Sequence, residues 1–334
     1  MAVEVDSWDR LLGSVKETAL KGGSLDFDQA LKLTGLPAGR TGGLLRIADG
    51  VRRRFASRSA DLCSIVNARS GMCAEDCGFC AQSRLHAAAA AVYPMKSVSE
   101  ILEAARKAEA AGAHRFCIVT SGGALSSTDF ETVLAAVDRI GQATCLKRCA
   151  STGRLSAGRA ALLRQAGLNR YHHNIETAAS FFGRVCSTHS YQDKLETIAH
   201  LKEAGIETCV GGILNLGENP AQRIEFAFQL RQIEPDSVPI NFLIPVPGTP
   251  LGGRKLMAAA EAARYLAIFR LIMPRTQIRV AGGRMQTFSD RAALPFKAGA
   301  NAVLIGDLLT TSGPSAEDDI ALLKQLGFDT DAGC

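Results

Sequence analysis

Cys73-Ala74-Glu75-Asp76-Cys77-Gly78-Phe79-Cys80 is a C-x3-C-x2-C run, preceded by Asn67-Ala68-Arg69-Ser70-Gly71 and followed by Ala81-Gln82-Ser83. Three soft thiolates spaced this closely suit an iron–sulfur cluster or zinc. Structural zinc takes four protein ligands, and a bacterial ferredoxin run supplies its fourth cysteine in a longer pattern. Here the fourth thiol is missing, so three ligands on a four-iron cluster leave one iron open. A zinc loop and a plain buried cysteine cluster are the competing readings of the same residues.

At 334 residues the chain has room for one large domain or two ordinary ones, and α/β barrels reach this size as one. Hydrophobic residues at 47% and charged residues at 21% fit a soluble globular protein, and a net charge of +5 is too small to indicate nucleic acid. The longest apolar runs, such as residues 87–92, are far too short to span a bilayer, so no membrane partner is expected. Ten cysteines at motif-like spacings do not read as a disulfide framework, and Met1-Ala2-Val3-Glu4-Val5-Asp6 lacks a basic-then-apolar leader. The expectation is a reducing cytoplasm.

Apolar residues at helical spacing run from residue 8 to about 55 (Leu11, Leu12, Val15; Phe27, Ala30, Leu31; Leu44, Leu45, Ile47, Ala48), broken at Gly22-Gly23-Ser24 and Gly35-Leu36-Pro37. They predict a helical extension over residues 1–58, with Arg52-Arg53-Arg54 as a solvated helix face. From Asp61 a beat sets in: a short apolar run, a loop rich in Gly, Ser, Asn or Cys, then an amphipathic helix. Strands are predicted at 62–66, 115–120, 143–146, 170–175, 208–213, 237–243, 277–280 and 302–305, with helices including 98–111, 130–140, 157–166 and 192–204. About eight such units predict an α/β fold, a (βα)8 TIM-type barrel over residues 59–325 with a tail over 326–334; an open doubly wound sheet is the alternative. Chemistry then belongs at the carboxyl ends of the strands, where the cysteine loop, Ser121-Gly122-Gly123, His172-His173-Asn174 and Gly211-Gly212 all fall.

The cysteine run with its flanks resembles the signature of the radical S-adenosylmethionine (SAM) superfamily. That resemblance implies a [4Fe-4S] cluster on Cys73, Cys77 and Cys80 whose open iron chelates SAM, reductive cleavage of SAM to a 5'-deoxyadenosyl radical, and Phe79 against the adenine. Further segments narrow it: Arg115-Phe116-Cys117, Tyr171-His172-His173-Asn174-Ile175-Glu176-Thr177, Cys209-Val210-Gly211-Gly212-Ile213-Leu214-Asn215-Leu216-Gly217-Glu218, Ser237-Val238-Pro239-Ile240-Asn241 and Pro247-Gly248-Thr249-Pro250-Leu251. In that order they are similar to the biotin synthase family over nearly the whole chain after the extension. The family resemblance implies conversion of dethiobiotin to biotin, with sulfur donated by an auxiliary iron–sulfur cluster deep in the barrel.

In the family's best-known form that auxiliary cluster is a [2Fe-2S] cluster on three cysteines and an arginine, and the matching positions here are Cys117, Cys149, Cys209 and Arg279. This chain departs from the pattern where Val280-Ala281-Gly282-Gly283-Arg284 follows Arg279 in place of a serine-containing turn, where His172 replaces an asparagine, and where Cys63 and Cys186 add thiols. The departures resemble a branch with a larger, differently ligated auxiliary cluster, in which Cys63 and Cys186 compete with Cys117 for ligand positions. A guanidinium that never deprotonates is a poor ligand. Taken singly, each of these cysteines, like Cys145 and Cys334, reads as a small buried hydrophobe.

The same comparison implies Asn174, Glu176 and Asn241 at the SAM ribose and the substrate's ureido ring, Gly211-Gly212 and Gly217-Glu218 at the SAM methionine, and Thr310-Thr311 at the substrate carboxylate. Core-satisfied asparagines are the competing reading. His172 and His173 read as hydrogen-bonded core histidines, without a catalytic proton transfer. Implied partners are dethiobiotin, a flavodoxin- or ferredoxin-type reductant, cluster-assembly proteins and a second copy in a homodimer. The rival readings are a radical relative of methylornithine-forming or hydrogenase-maturation type, and a non-enzymatic iron–sulfur carrier or zinc module.

Overall fold

Parallel strands cannot be joined by tight turns, and in this chain helices make the crossovers. The computed structural model describes residues 7–306, 313 and 315–331. Three helices come first, α1 (Ser7–Leu20), α2 (Phe27–Thr34) and α3 (Thr41–Phe55). Then follow β1 (Asp61–Arg69), α4 (Val98–Ala110), β2 (Arg115–Thr120), α5 (Ser127–Ala143), β3 (Lys147–Ser151), α6 (Ala157–Gln165), β4 (Arg170–His172), α7 (Ala179–Phe182), α8 (Tyr191–Glu203), β5 (Glu207–Cys209) and β6 (Gly212–Leu214). The chain continues through α9 (Pro220–Ile233), β7 (Ser237–Phe242), α10 (Ala259–Ile272), β8 (Gln277–Val280), α11 (Arg284–Phe288), α12 (Leu294–Lys297), β9 (Ala302–Leu304) and α13 (Ala316–Gln325).

Every strand pairing is parallel, and β1 lies between β2 and β9. Cys209 of β5 also pairs with Ser237 of β7, so β5 and β6 are two pieces of one barrel strand and the sheet closes on eight. This is the TIM-type barrel; the open sheet is excluded. Most crossover helices start at a side chain that accepts a hydrogen bond from the backbone three residues on: Ser97, Ser126, Ser156, Ser190 and Asn219. These caps fix where each functional loop ends.

Several strand boundaries differ from the sequence reading, β1 running longer and β4 shorter than expected, and two of the differences have a clear physical cause. Residues 143–146 are not a strand: α5 runs on to Ala143, Thr144 turns its amide and hydroxyl back onto Ile140 O, and β3 begins at Lys147. The single strand expected at 208–213 is broken at Val210-Gly211, because the main chain there is wedged between neighbours. A Cβ on Gly211 would lie 1.9 Å from Pro239 O, and one on Gly212 2.1 Å from Glu176 O.

The N-terminal helices lie on the outside of the barrel, α3 against α10 and α2 against α9. Arg52 is not on a solvated face. It is buried, ion-paired with Asp49 at 2.6 Å, and stacked 4.2 Å from the Phe328 ring centroid. Of the described residues after α13, Asp329 bridges Ser59 in parallel, and Thr330 O meets His114 Nε2 at 3.1 Å.

Arg270 of α10 is fully buried and ties the loops feeding β8 and β9. It donates to Gly299 O, Met273 O, Pro274 O, Thr276 O and Asn301 Oδ1, with no carboxylate partner among the described residues. Replacing Arg270 with Ala strands these acceptors and leaves a void, so stability should fall by about 3–5 kcal/mol, read as a lower urea midpoint; Arg270→Lys should restore only part of it.

Candidate active site

Residues two apart on a strand share a face, and in a small barrel one face is the interior. The rule gathers Cys63 and Ile65 on β1, Arg115, Cys117 and Val119 on β2, Cys149 and Ser151 on β3, Arg170 and His172 on β4, Cys209 on β5, Pro239 and Asn241 on β7, and Arg279 on β8. These line one cavity of about 350 Å³. Register sets Cys117 beside Cys149 and His172 beside Cys209. The Cys63, Cys117 and Cys149 side chains touch in a buried group flanked by Ile65, Val119 and Leu304.

Burial pushes all four thiols up: Cys63 to about 12, Cys117 well above its ordinary value, and Cys149 and Cys209 in the same direction. They are neutral thiols until a metal displaces their protons. Beneath them lies a charged floor. Asp61 Oδ2 is 3.3 Å from Arg279, 3.5 Å from Arg170 and 3.6 Å from Arg115, and accepts from Gln277 at 3.0 Å. Glu207 pairs with Arg170 at 2.9 Å and Arg115 at 3.5 Å. Burial alone would raise the Asp61 pKa, but the three guanidinium groups together hold it well below the usual carboxylate range. Three cations against two carboxylates leave the floor net positive, which fits an anionic iron–sulfur cluster on the thiols above it.

Arg279 faces that floor. Its Nη1 donates to Val303 O at 2.9 Å and Asp61 O at 3.3 Å, and its Nη2 to Gln277 Oε1 at 3.3 Å. Cys186 is not on the cavity wall at all. It follows α7, and its Sγ lies 3.8 Å from Cys77 Sγ, so it is removed from the candidate ligands of the barrel interior.

The Cys73–Cys80 loop leaves β1 through Gly71, whose φ of +76° and close contact with Val92 admit only glycine without rearrangement. Cys73 closes the loop on itself, its amide donating to Gln82 O at 3.0 Å and its carbonyl accepting from Arg84 N at 2.8 Å. Gly78 N donates to Val185 O and Leu251 N to Gly78 O, fastening the loop to the segments after α7 and β7. Ser121 Oγ bonds Gly71 O at 2.7 Å, and a Cβ on Gly123 would lie 2.0 Å from Glu75 Oε1, so the β2 loop buttresses this one. Phe79 packs with Val185, Leu216 and Leu243 and reaches the cavity. Three thiols on one short, braced loop at the barrel mouth fit a [4Fe-4S] cluster with an open iron.

Between the two thiol sets runs a polar chain: Ser151 Oγ, His172, Asn174 Oδ1, then Asn174 Nδ2 to Glu176 Oε2, at 3.2, 2.8 and 3.2 Å. Burial holds His172 neutral, its pKa pulled down to about 4, and raises that of Glu176. His173 points away, against Tyr171, and is likewise kept neutral by burial. Asn241 bridges backbone, donating to Gly212 O at 3.0 Å and accepting from Gly282 N at 2.8 Å. Gly211 and Gly212 make their close approach to protein backbone, as described above, and Gly211 N donates to Asn174 Oδ1 at 3.1 Å. Buried Glu218 accepts from Asn215 N and Gly217 N and pairs with Arg223 at 2.7 Å. Thr310 and Thr311 lie outside the described residues. Sequence reasoning missed Asp61, Arg170, Glu207 and Gln277; the available signal was the i, i+2 placement of Arg115 with Cys117 and of Arg170 with His172.

Against known proteins, the Radical SAM superfamily matches residues 69–230 and the Biotin and Thiamin Synthesis associated domain residues 239–329. The chain is 47% identical to the biotin synthase of Pelotomaculum thermopropionicum over 302 residues, covering 90% of this chain and 94% of that one. It is 44% identical to the biotin synthase of Heliobacterium modesticaldum, covering 93% and 96%. Among solved structures it is similar to methylornithine synthase (TM-score 0.82, 18% identity, 94% and 96% covered). It is also similar to the FeFe-hydrogenase maturase of Carboxydothermus hydrogenoformans (0.79, 14%, 96% and 79%). At those identities the two structures speak for the fold alone.

The depressed His172 pKa has a signed consequence. Between pH 6.5 and about 4 the unfolded chain protonates this imidazole and the folded chain does not, so stability present above pH 6.5 is lost as pH falls, by ~1.4 kcal/mol per unit. Urea midpoints measured across that window should show a shallower slope for His172→Asn than for the parent; equal slopes would mean the ring titrates normally.

Proposed function

The chain belongs to the biotin synthase family, and we propose how its residues divide the work of that family's reaction, the SAM-radical insertion of sulfur that turns dethiobiotin into biotin. One observation carries the assignment: two thiol sets stacked along a single barrel, Cys73, Cys77 and Cys80 on the mouth loop and Cys63, Cys117, Cys149 and Cys209 on the wall below. When bound, the [4Fe-4S] cluster with SAM supplies a 5'-deoxyadenosyl radical, and the auxiliary cluster supplies the sulfur. Everything else falls to the protein.

Cys73, Cys77 and Cys80 hold the first cluster, and Phe79 lays its ring against the adenine. Cys63, Cys117, Cys149 and Cys209 hold the auxiliary one as four thiolates, a set that suits a four-iron variant better than the [2Fe-2S] form. Arg279 then serves as counter-charge, kept protonated by Asp61, rather than as a ligand. Asn174 keeps one N–H, and Asn241 one N–H and one lone pair, beyond the bonds already made, and these face the SAM ribose and the ureido ring with Glu176 beside them. Gly211 and Gly212 shape the wall on which the SAM methionine rests. Thr310 and Thr311 are assigned to the substrate carboxylate on family likeness. The apolar side chains of Ile65, Val119, Ile213 and Leu304 exclude water and hold the reacting carbon between the two reagents. No side chain is given a proton to move, in keeping with a neutral His172.

The reaction needs a one-electron donor of flavodoxin or ferredoxin type and cluster-assembly proteins to restore the sulfur it consumes. We place the chain in the cytoplasm as a homodimer; among the described residues no helix is long and apolar enough to cross a membrane.

Anaerobically reconstituted protein with SAM, a reductant and dethiobiotin should yield 5'-deoxyadenosine and biotin, and Cys73→Ala should abolish both. Cys149→Ala should still cleave SAM but form no biotin; biotin at the parent's level would defeat the assignment. For the ligand set, Mössbauer spectra should show Cys63→Ala losing auxiliary iron as completely as Cys149→Ala, while Cys186→Ala keeps it. Full auxiliary iron in Cys63→Ala would return the fourth position to Arg279.

A further inference from the structure

Cys186 has no place in the barrel cavity, yet it is buried and surrounded by polar groups. Its Sγ lies 3.8 Å from Cys77 Sγ and 3.2 Å from His189 Nδ1, and the three donor atoms all fall within 4.8 Å of one another. Tetrahedral zinc with Zn–S bonds of about 2.3 Å sets its two sulfurs about 3.8 Å apart. The imidazole is 4% exposed; its Nδ1 also meets Glu75 Oε2 at 2.8 Å, and its buried Nε2 has no partner. The peptide carrying Cys186 is clamped to the mouth loop, with Ser187 N and Thr188 N both donating to Asp76 Oδ1, at 2.9 and 3.2 Å. The donors are therefore held together by backbone on both sides and not by flexible side chains alone.

We propose that the cluster-free chain binds one zinc-class divalent cation between Cys77, Cys186 and His189, in a site that shares Cys77 with the mouth cluster and so excludes it. Two thiolates and an imidazole make a borderline-soft set of the kind zinc takes, three protein ligands with the fourth position left to solvent. On binding, any thiol proton that Cys77 and Cys186 still carry passes to solvent, and no electron is exchanged. The site is distinct from the Cys73–Cys77–Cys80 trio because it uses neither Cys73 nor Cys80. It does not depend on which reaction the holoenzyme performs.

Cobalt(II) is the probe, added anaerobically to the full chain stripped of iron and sulfide. One tightly bound equivalent should give tetrahedral ligand-field bands with sulfur-to-cobalt charge transfer, and one equivalent of zinc should erase them. Cys186→Ala and His189→Asn should each weaken that equivalent by at least about tenfold, while Cys80→Ala and Cys149→Ala leave it in place. Far-ultraviolet circular dichroism on every variant reports that the barrel is formed. A band that survives Cys186→Ala but vanishes in Cys80→Ala would assign the cation to the trio, and one that vanishes only in Cys149→Ala would assign it to the barrel wall; either overturns the proposal.

Discussion

Three buried guanidinium groups, Arg115, Arg170 and Arg279, converge on the single carboxylate of Asp61 at the bottom of the barrel. Burying so many ions is costly unless each is paired and hydrogen-bonded; here Gln277, Glu207 and main-chain oxygens supply much of the bonding, while Asp61 Oδ1 and Arg115 Nε stay without a hydrogen-bond partner. The arrangement is asymmetric in charge, so it stabilises whatever negative charge is placed directly above. Four thiols occupy that position, each held neutral by burial until a metal takes its proton. A net positive floor under acidifiable thiols is a preorganised seat, and the strands that carry it cannot slip by one residue without turning its members outward.

Much of this was legible in the residues. The C-x3-C-x2-C run pointed to an open-iron cluster because of what it lacks, and the βα beat gave both the barrel and the end at which to look. Cys63, Cys117, Cys149 and Cys209 could be gathered to one interior because each lies in a predicted strand or just beyond one. What could not be read was depth. Alternation says that Arg115 and Cys117 share a face, but only the register across β1 to β4 shows which neighbours they meet: Cys63 stands beside Arg115, Cys117 beside Cys149, and Cys149 beside Arg170. The misplaced strand at 143–146 has the same origin: a helix ending in Ala143-Thr144 and a strand start look alike when the packing partner is unseen.

Cys186 marks the other limit. Its neighbourhood is built from residues more than a hundred positions apart, Glu75 and Asp76 on one loop and Cys186 to His189 on another, brought together by backbone bonds that no local pattern announces. The glycines show the converse. Gly211 and Gly212 attract attention as ligand-approach positions, whereas the contacts that require them are with Pro239 and Glu176 in adjacent strands. The mouth of the barrel owes its shape to this wedge, which breaks one strand into β5 and β6 and lets Asn174 reach the amide of Gly211.

The parallel bridge between Ser59 and Asp329, together with β1 lying against β9, means that the first strand to leave the ribosome finds its outer neighbour among the last. Until that late segment emerges, one flank of β1 is an unsatisfied ladder with apolar residues behind it. Closure is thus the most non-local event in the barrel, because it joins the strand at Asp61–Arg69 to the strand at Ala302–Leu304, and the ring is sealed only after all the helical crossovers between them are in place.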